Sequence, residues 1–155
     1  MPRPHKCRRV AFAPEVTYFK PAGVPLRSLE EVQISVEELE AIRLKDLEGL
    51  EQEECAEKMN ISRPTFQRVL GSARRKIADA LLDGKAMRIG GGNFEMAPLR
   101  YRCCVGHEWE LPYSTEIVTI QACPVCNTSD ILPLQPISVG RGQGGGRRCQ
   151  RGRSR

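Results

Sequence analysis

The chain has 155 residues, with 24 Lys and Arg against 19 Asp and Glu for a net charge of +5, and 40% hydrophobic residues, enough for one or two small domains. No run of about twenty apolar residues occurs, so a membrane span is not expected. The opening Met-Pro-Arg-Pro-His-Lys has no apolar core behind it, so no secretory signal is expected and the protein is read as cytoplasmic; in that compartment its seven cysteines point to metal ligands or reduced thiols rather than disulfides.

Charge is segregated along the chain. Residues 1–10 form a basic arm carrying Arg3, Lys6, Arg8 and Arg9 and no acid. Residues 11–34 read as loops with one short strand near Leu29–Ile34. Ser35 and Glu38 then form a Ser-x-x-Glu capping box that opens a helix from Val36 to about Glu48. Its apolar residues (Val36, Leu39, Ala41, Ile42, Leu44 and Leu47) spread over a wide arc, so cover on more than one side is expected, and Gly49 is its stop. Residues 30–58 hold eleven acids and three bases, a stretch expected to face solvent or a protein.

A short helix from about Glu51 to Met59 follows, with Cys55, Ala56 and Met59 directed at the next helix. Asn60 tolerates the left-handed backbone needed to leave one helix and enter another. Ser62 is the expected N-cap of a long helix, accepting from an orphan amide, and Pro64 sits in its first turn. Phe66, Val69, Leu70, Ala73, Ile77, Ala80 and Leu81 recur at helical spacing as a buried stripe. Gln67, Arg68, Gly71, Ser72 and Arg75 fall on the opposite face, flanked by Arg74 and Lys76. Residues 63–88 hold seven bases and two acids. A helix, a tight turn and a second helix with a basic outer face are the parts of a DNA-binding helix-turn-helix.

Ala86–Ile89 reads as a short extended piece and Gly90–Gly92 as a linker, since no Gly-Lys-Ser/Thr follows to make a phosphate loop. Beyond it, Cys104 and His107 share the two-residue gap of Cys123 and Cys126. Two such knuckles flanking a hairpin are the design of a zinc ribbon, with zinc (Zn) as a structural ion in a closed site of three thiolates and one imidazole. Cys103 is the alternative to Cys104, with a three-residue gap. Tyr101, Glu108, Trp109, Leu111, Tyr113, Ile117, Val118 and Ile120 read as strand residues. Cys55 reads as a core residue, Cys7 as part of the arm and Cys149 as part of the tail. From Gly140 onward the sequence is Gly, Arg and Gln with almost nothing apolar, so residues 137–155 are expected to be a disordered tail.

Several runs carry a resemblance: Met1-Pro-Arg-Pro-His-Lys-Cys-Arg-Arg-Val10, Phe19-Lys-Pro-Ala-Gly23, Leu39-Glu-Ala-Ile-Arg-Leu44, Asp46-Leu-Glu-Gly49, Arg63-Pro-Thr-Phe66, Ala73-Arg-Arg-Lys76 and Gly84-Lys-Ala-Met-Arg-Ile89. Over residues 1–92 the chain resembles uncharacterised protein family 0251, small prokaryotic proteins. The resemblance implies DNA binding through a helix-turn-helix similar to region 4 of bacterial sigma factors. It departs at Cys-Cys-x-x-His, where a C-x-x-C knuckle is usual, and at Glu51, where Ser or Thr is usual. The Glu51 departure implies a cap weaker by about 0.5–2 kcal/mol.

The expectation is therefore a mainly α chain. Residues 1–92 are the arm and helix-turn-helix domain, 93–136 a small β zinc-ribbon-like module, and 137–155 the tail. The function expected is sequence-specific binding of double-stranded DNA by a transcriptional regulator. Arg63, Thr65, Gln67 and Arg68 would reach base edges, Arg74, Arg75 and Lys76 the phosphates, and Ser72 is a further DNA-binding residue. Arg3, Lys6, Arg8 and Arg9 would enter a minor groove or neutralise backbone charge. RNA polymerase is a second candidate partner, through a protein-adaptor role, and a metal- or redox-responsive sensor is a third reading. A homodimer would suit two half-sites. No nucleophile–base pair or paired-carboxylate pattern stands out, so an enzyme is not expected.

Overall fold

The computed structural model describes residues 6–113 and 120–134. In chain order its elements are β1 (Arg8–Val10), β2 (Tyr18–Phe19), a 3-10 turn (Leu26–Ser28), β3 (Glu31–Ile34), α1 (Val36–Ile42), a π-helical continuation of α1 (Arg43–Leu47), α2 (Gln52–Lys58), α3 (Arg63–Asp83), β4 (Ala86–Ile89), β5 (Phe94–Met96), β6 (Leu99–Cys103), β7 (Glu108–Leu111) and β8 (Ile131–Pro133). The chain is not mainly α. Three α-helices share the described residues with three small sheets, ordered β1-β5, β2-β4-β3 and β7-β6-β8. The strands run two to five residues, too short for an alternating pattern to stand out. Two of the pairings also join distant segments in parallel, Arg8 opposite Phe94 and Glu31 opposite Ala86. Parallel neighbours need a long crossover; between β3 and β4 that crossover is the whole helical unit.

α1 starts at a complete capping box: the Ser35 amide donates to the Glu38 carboxylate at 2.9 Å and the Glu38 amide to the Ser35 hydroxyl at 3.3 Å. Its last turn widens, the Glu48 amide donating five residues back to the Arg43 carbonyl at 2.9 Å, and Gly49 ends it at φ +71°. α1 is covered differently from the expectation. Glu37, Glu38, Glu40 and Arg43 are buried, whereas Leu47 is 81% exposed. The acidic helix therefore turns much of its charge inward.

Phe66, Val69 and Leu70 of α3 pack on Ala41 and Leu44 of the α1 segment, on Cys55 and Ala56 of α2 and on Met59 at its C-cap. These eight side chains are the helical core, each nearly removed from water. Asn60, at φ +55°, turns the chain between α2 and α3, and the Ile61 amide closes the turn on the Ala56 carbonyl at 3.0 Å. At the start of α2 the Glu54 carboxylate accepts from the Glu51 amide at 3.0 Å, so Glu54 supplies a cap contact that Glu51 does not need a hydroxyl to make. Ser62 does not cap α3 through its side chain; its hydroxyl instead pairs with Thr65 Oγ1 at 2.8 Å. α3 runs 21 residues, about 30 Å at ~1.5 Å per residue, and ends on Gly84 at φ +65°. The buried stripe of α3 stops at Ala80: Leu81 and Leu82 are 69% and 85% exposed.

Gly90–Gly92 is more than a linker. The Gly90 amide donates to the Ile34 carbonyl at 3.0 Å and the Gly91 carbonyl accepts from the Val36 amide at 3.2 Å. Gly92 lies across the Glu37 carboxylate, where a Cβ would stand 1.8 Å from Glu37 Oε2, and its φ is +101°. Residues 137–155, Arg3, Ile117 and Val118 lie outside the described residues; Tyr113 and Ile120 are described but fall outside the strands. No helix among the described residues is long and apolar enough to cross a membrane.

Gly92→Ala is expected to destabilise the fold, because backbone strain of about 1–3 kcal/mol adds to the clash with Glu37. A thermal melt checks this, and an unchanged midpoint would refute the cradle.

Candidate metal centre and basic helix face

In the β6–β7–β8 sheet, Tyr101 pairs with Trp109 across β6 and β7, and their rings stack with centroids 6.0 Å apart. On the same face of β6, two residues on, stands Cys103, and it opens a tight turn. Its amide donates to the His107 carbonyl and its carbonyl accepts from Gly106, each at 3.0 Å, with Gly106 at φ +100°. A second turn repeats the plan: the Asn127 amide donates to the Cys123 carbonyl at 2.9 Å, with Asn127 at φ +58°. The two turns bring Cys103, His107, Cys123 and Cys126 together, one ligand atom from each lying within 4.8 Å of all the others.

The donor set fits a metal ion. Ligands bound tetrahedrally at ~2.3 Å for thiolate and ~2.0–2.1 Å for imidazole would stand about 3.8 Å apart for two sulfurs and about 3.6 Å for sulfur and nitrogen. The structure has 3.7 Å from Cys103 Sγ to Cys126 Sγ, and 3.5 Å and 3.9 Å from His107 Nδ1 to Cys103 and Cys123. Of the adjacent cysteines, Cys103 is the cluster member and Cys104 is not. Cys104 is exposed and faces Thr128 Oγ1 at 3.6 Å, outside the cluster. The reason is strand alternation: successive side chains leave opposite faces, so only one of two neighbours can point at the turn opposite. The three-residue gap of Cys103-x-x-x-His107 is thereby accommodated, with left-handed Gly106 taking up the extra residue.

Burial raises the Cys103 thiol, but amide hydrogen bonds from His107 and Val105 and the neighbouring Cys126 and His107 outweigh it and bring the thiol down to about 6. Cys126 is pushed up: the Thr128 amide lowers it, while burial and the adjacent Cys123 and Cys103 raise it by more. Cys7, with its thiol 3.2 Å from Asn93 Oδ1, and Cys55, fully buried, stand apart from the cluster.

The basic residues of α3 divide into two groups. Gln67, Arg68 and Arg75 are exposed, and their side chains have no hydrogen-bond or ion-pair partner among the described residues. Ser72, Lys76, Arg74 and Arg63 are instead engaged by carboxylates of the acidic segment. Ser72 donates to Glu38 at 2.7 Å, Lys76 to Glu38 at 2.8 Å, and Arg74 to Asp46 at 3.2 and 2.5 Å. Arg63 pairs with Glu53 at 3.0 Å, and Thr65 with Ser62. In the arm, Arg8 pairs with Glu37 at 2.6 Å and Lys6 donates to Asn60 at 3.2 Å, while Arg9 is exposed. Arg3 lies outside the described residues. The Arg74 hydrogen bonds, against a smaller effect of burial, draw the Asp46 carboxyl below its ordinary value.

The sequence marks Glu38 only as a helix cap, and Glu37 and Glu40 not at all. Their available signal is the opposite charge balance of residues 30–58 and 63–88, which shows that an acidic and a basic segment can neutralise one another but not which residues meet.

A family model described as "Protein of unknown function DUF134" matches residues 1–97. A UPF0251 protein of Moorella thermoacetica is 56% identical over 155 residues, covering 99% of this chain and 96% of the relative. Another, of Desulforudis audaxviator, is 58% identical over 133 residues, covering 85% and 86%. A third, of Dehalococcoides mccartyi, is 69% identical over 96 residues, 62% of this chain and 82% of the relative. No solved structure matches.

Cys103→Ser is expected to remove bound metal from the purified protein and Cys104→Ser to leave it, as read by elemental analysis; the reverse pattern would reinstate Cys104. Glu38 gives a pH prediction. Burial raises its pKa, but hydrogen bonds from Lys76, Ser72 and Ser35 prevail and hold it below the ordinary glutamate value. A depressed folded pKa contributes stability that is present above the unfolded value, about 4.3, and is lost as pH falls through the folded one. Glu38→Gln should therefore lose stability at neutral pH and show a shallower acid limb in denaturant titrations. An acid limb of unchanged slope would show that Glu38 does not set it.

Proposed function

The chain belongs to the UPF0251 family, the protein family of unknown function DUF134, and from that premise we propose that it binds double-stranded DNA sequence-specifically as a transcriptional regulator. The observation that supports this most is the exposed, unpartnered set Gln67, Arg68 and Arg75 on the outer face of α3. That face follows a left-handed turn at Asn60 from a short helix that shares its core. In this reading α2, the turn and α3 are a helix-turn-helix, and the start of α3 enters the major groove.

Arg68 and Gln67 read base edges. Arginine bonds guanine twice and glutamine bonds adenine twice, each worth about 1–3 kcal/mol of discrimination. Arg63 and Thr65 join them once Glu53 and Ser62 release their side chains. Arg75 sits on phosphate, and Arg9 with Lys6 extends that contact along the arm. Arg74, Lys76 and Ser72 hold α3 against the α1 segment and set its angle to the groove; Arg8 does the same for the arm through Glu37. A cation already neutralised by a carboxylate displaces few counterions from DNA, so these residues contribute little to affinity.

The metal in this reading is a structural zinc held by Cys103, His107, Cys123 and Cys126. Three thiolates and one imidazole suit zinc, and four protein ligands leave no open coordination position for catalysis. Bound there, zinc supplies folding energy to a module with little core of its own. In this reading the protein is cytoplasmic. A protein adaptor of RNA polymerase is the second reading, favoured by Leu47, which is 81% exposed among the acidic residues Asp46, Glu48 and Glu51.

Selection of genomic fragments by the zinc-loaded protein at about 150 mM salt, near physiological, tests the proposal. One enriched motif is expected; no enrichment, with binding lost as salt rises, would overturn it. On the selected site, Arg68→Ala should relax base preference, and Arg75→Ala should weaken all sequences alike with the salt slope reduced by about 1. Equal losses on every sequence for both variants would refute the assignment of roles.

A further inference from the structure

Where β1 and the helices meet the β6–β7–β8 sheet there is a cavity of about 300 Å³, at the lower end of the ~300–1,000 Å³ typical of small-ligand sites. Backbone hydrogen bonds hold the segments that wall it. The Arg9 amide donates to the Met59 carbonyl at 2.9 Å, the Ala97 amide to the Val10 carbonyl at 2.7 Å, and the Leu134 amide to the Arg100 carbonyl at 2.8 Å. β1 is thereby tied both to the end of α2 and to the segment that enters β6.

Four cations and three carboxylates line this cavity, and they are not evenly matched. Arg43 donates to both oxygens of Glu40, at 2.8 and 2.7 Å, and pairs with Glu48. Arg100 pairs with Glu110 at 3.1 Å. The other two cations, Arg9 and Lys58, are exposed, and neither side chain has a hydrogen-bond or ion-pair partner among the described residues. They are brought to one cavity by the backbone, since Arg9 is bonded to Met59, the residue after Lys58. The walls as a whole keep an excess of one positive charge. An oxyanion that accepts from both side chains removes their mutual repulsion and supplies the missing charge. Phosphate suits the pair, because guanidinium presents a fork to its oxygens and ammonium a point charge.

We infer that Arg9 and Lys58 form a binding site for a single phosphate group at this junction. One phosphate can come from a DNA backbone or from a free phosphate compound. The site itself rests on the cavity and its two unpaired cations. Only the DNA form rests on the reading above, in which Arg9 already belongs to the arm; Lys58 then adds the end of α2 to that contact.

Two titrations of the full, zinc-loaded chain separate the sources. The first adds inorganic phosphate at constant ionic strength and without DNA, followed by calorimetry; the second measures binding of a mixed-sequence duplex across a range of salt. With a free source, phosphate binds, and Arg9→Ala and Lys58→Ala each weaken it by about tenfold or more, as expected for a lost charge-assisted hydrogen bond. With a DNA source, inorganic phosphate does not bind, and each variant lowers the salt slope for the duplex by about 1. Both side chains are exposed, so thermal melts of the variants should match that of the parent chain. Arg27→Ala is the control: Arg27 is exposed and does not line the cavity. Binding of both probes indifferent to either variant, an equal effect of Arg27→Ala, or a chain that binds neither probe would overturn the site. A chain that binds phosphate through Arg9 and Lys58 but no DNA would count against the DNA reading alone.

Discussion

Three carboxylates on the first turns of α1 hold the N-terminal part of the molecule together. Glu38 receives the Ser35 amide, the Ser72 hydroxyl and the Lys76 ammonium, and so locks α1 onto α3. Glu37 receives Arg8 from β1 and the Asn93 amide from the chain entering β5. Glu40 receives Arg43 from its own helix and the Ala11 amide that follows β1. A buried carboxylate is tolerated where donors reach it, and each of these gathers donors from more than one segment, although Glu37 takes both of its on Oε1 and its buried Oε2 has no partner among the described residues. Breaking one would leave an uncompensated charge inside the fold, which costs more than the contact itself is worth.

This arrangement also sorts the basic residues. Those that neutralise α1 and the π-helical segment after it are Arg8, Ser72 with Lys76, and Arg74. Of the remaining bases of α3, Arg63 pairs with Glu53 of α2, and Arg68 and Arg75, with the neutral Gln67, form one exposed strip. The long helix thus serves two masters: one flank is a scaffold contact and the outer face is open. The structural role accounts for much of a charge density that in the sequence looks uniform and available.

Much of the helical unit was legible in the residues. The capping box at Ser35, left-handed Asn60, the stop at Gly49, and the core stripe from Phe66 to Ala73 are local signals, each set by a few neighbouring residues. Single strands were legible at Ile34, at Ala86–Ile89 and around Tyr101 and Glu108–Leu111, but how the strands of the N-terminal sheets pair was not, because strands this short are stabilised by partners up to about ninety positions away. The exposed Leu81 and the buried glutamates of α1 depend on which element passes overhead, as does the role of Gly92, which looks like a linker residue until Glu37 is placed beneath it. At the metal cluster, spacing alone favoured Cys104 by analogy with Cys123-x-x-Cys126; strand parity chose Cys103, and parity becomes known only when β6 is assigned.

The parallel pairing of β3 with β4 shapes how this chain can fold. During synthesis β3 leaves the ribosome some fifty residues before its partner, and β1 precedes β5 by an even longer interval. α1 to α3 can assemble early from local contacts, but the sheet that seals them must wait for the chain to return. Loop-closure entropy is lost before those distant pairings compensate for it, a cost that grows slowly with sequence separation and slows folding. The late step is therefore the docking of residues 86–96, and until it occurs Glu37 has neither its glycine cover nor the Arg8 strand held in place. A nascent chain stalled before that point would carry its acidic helix with a carboxylate still open to water.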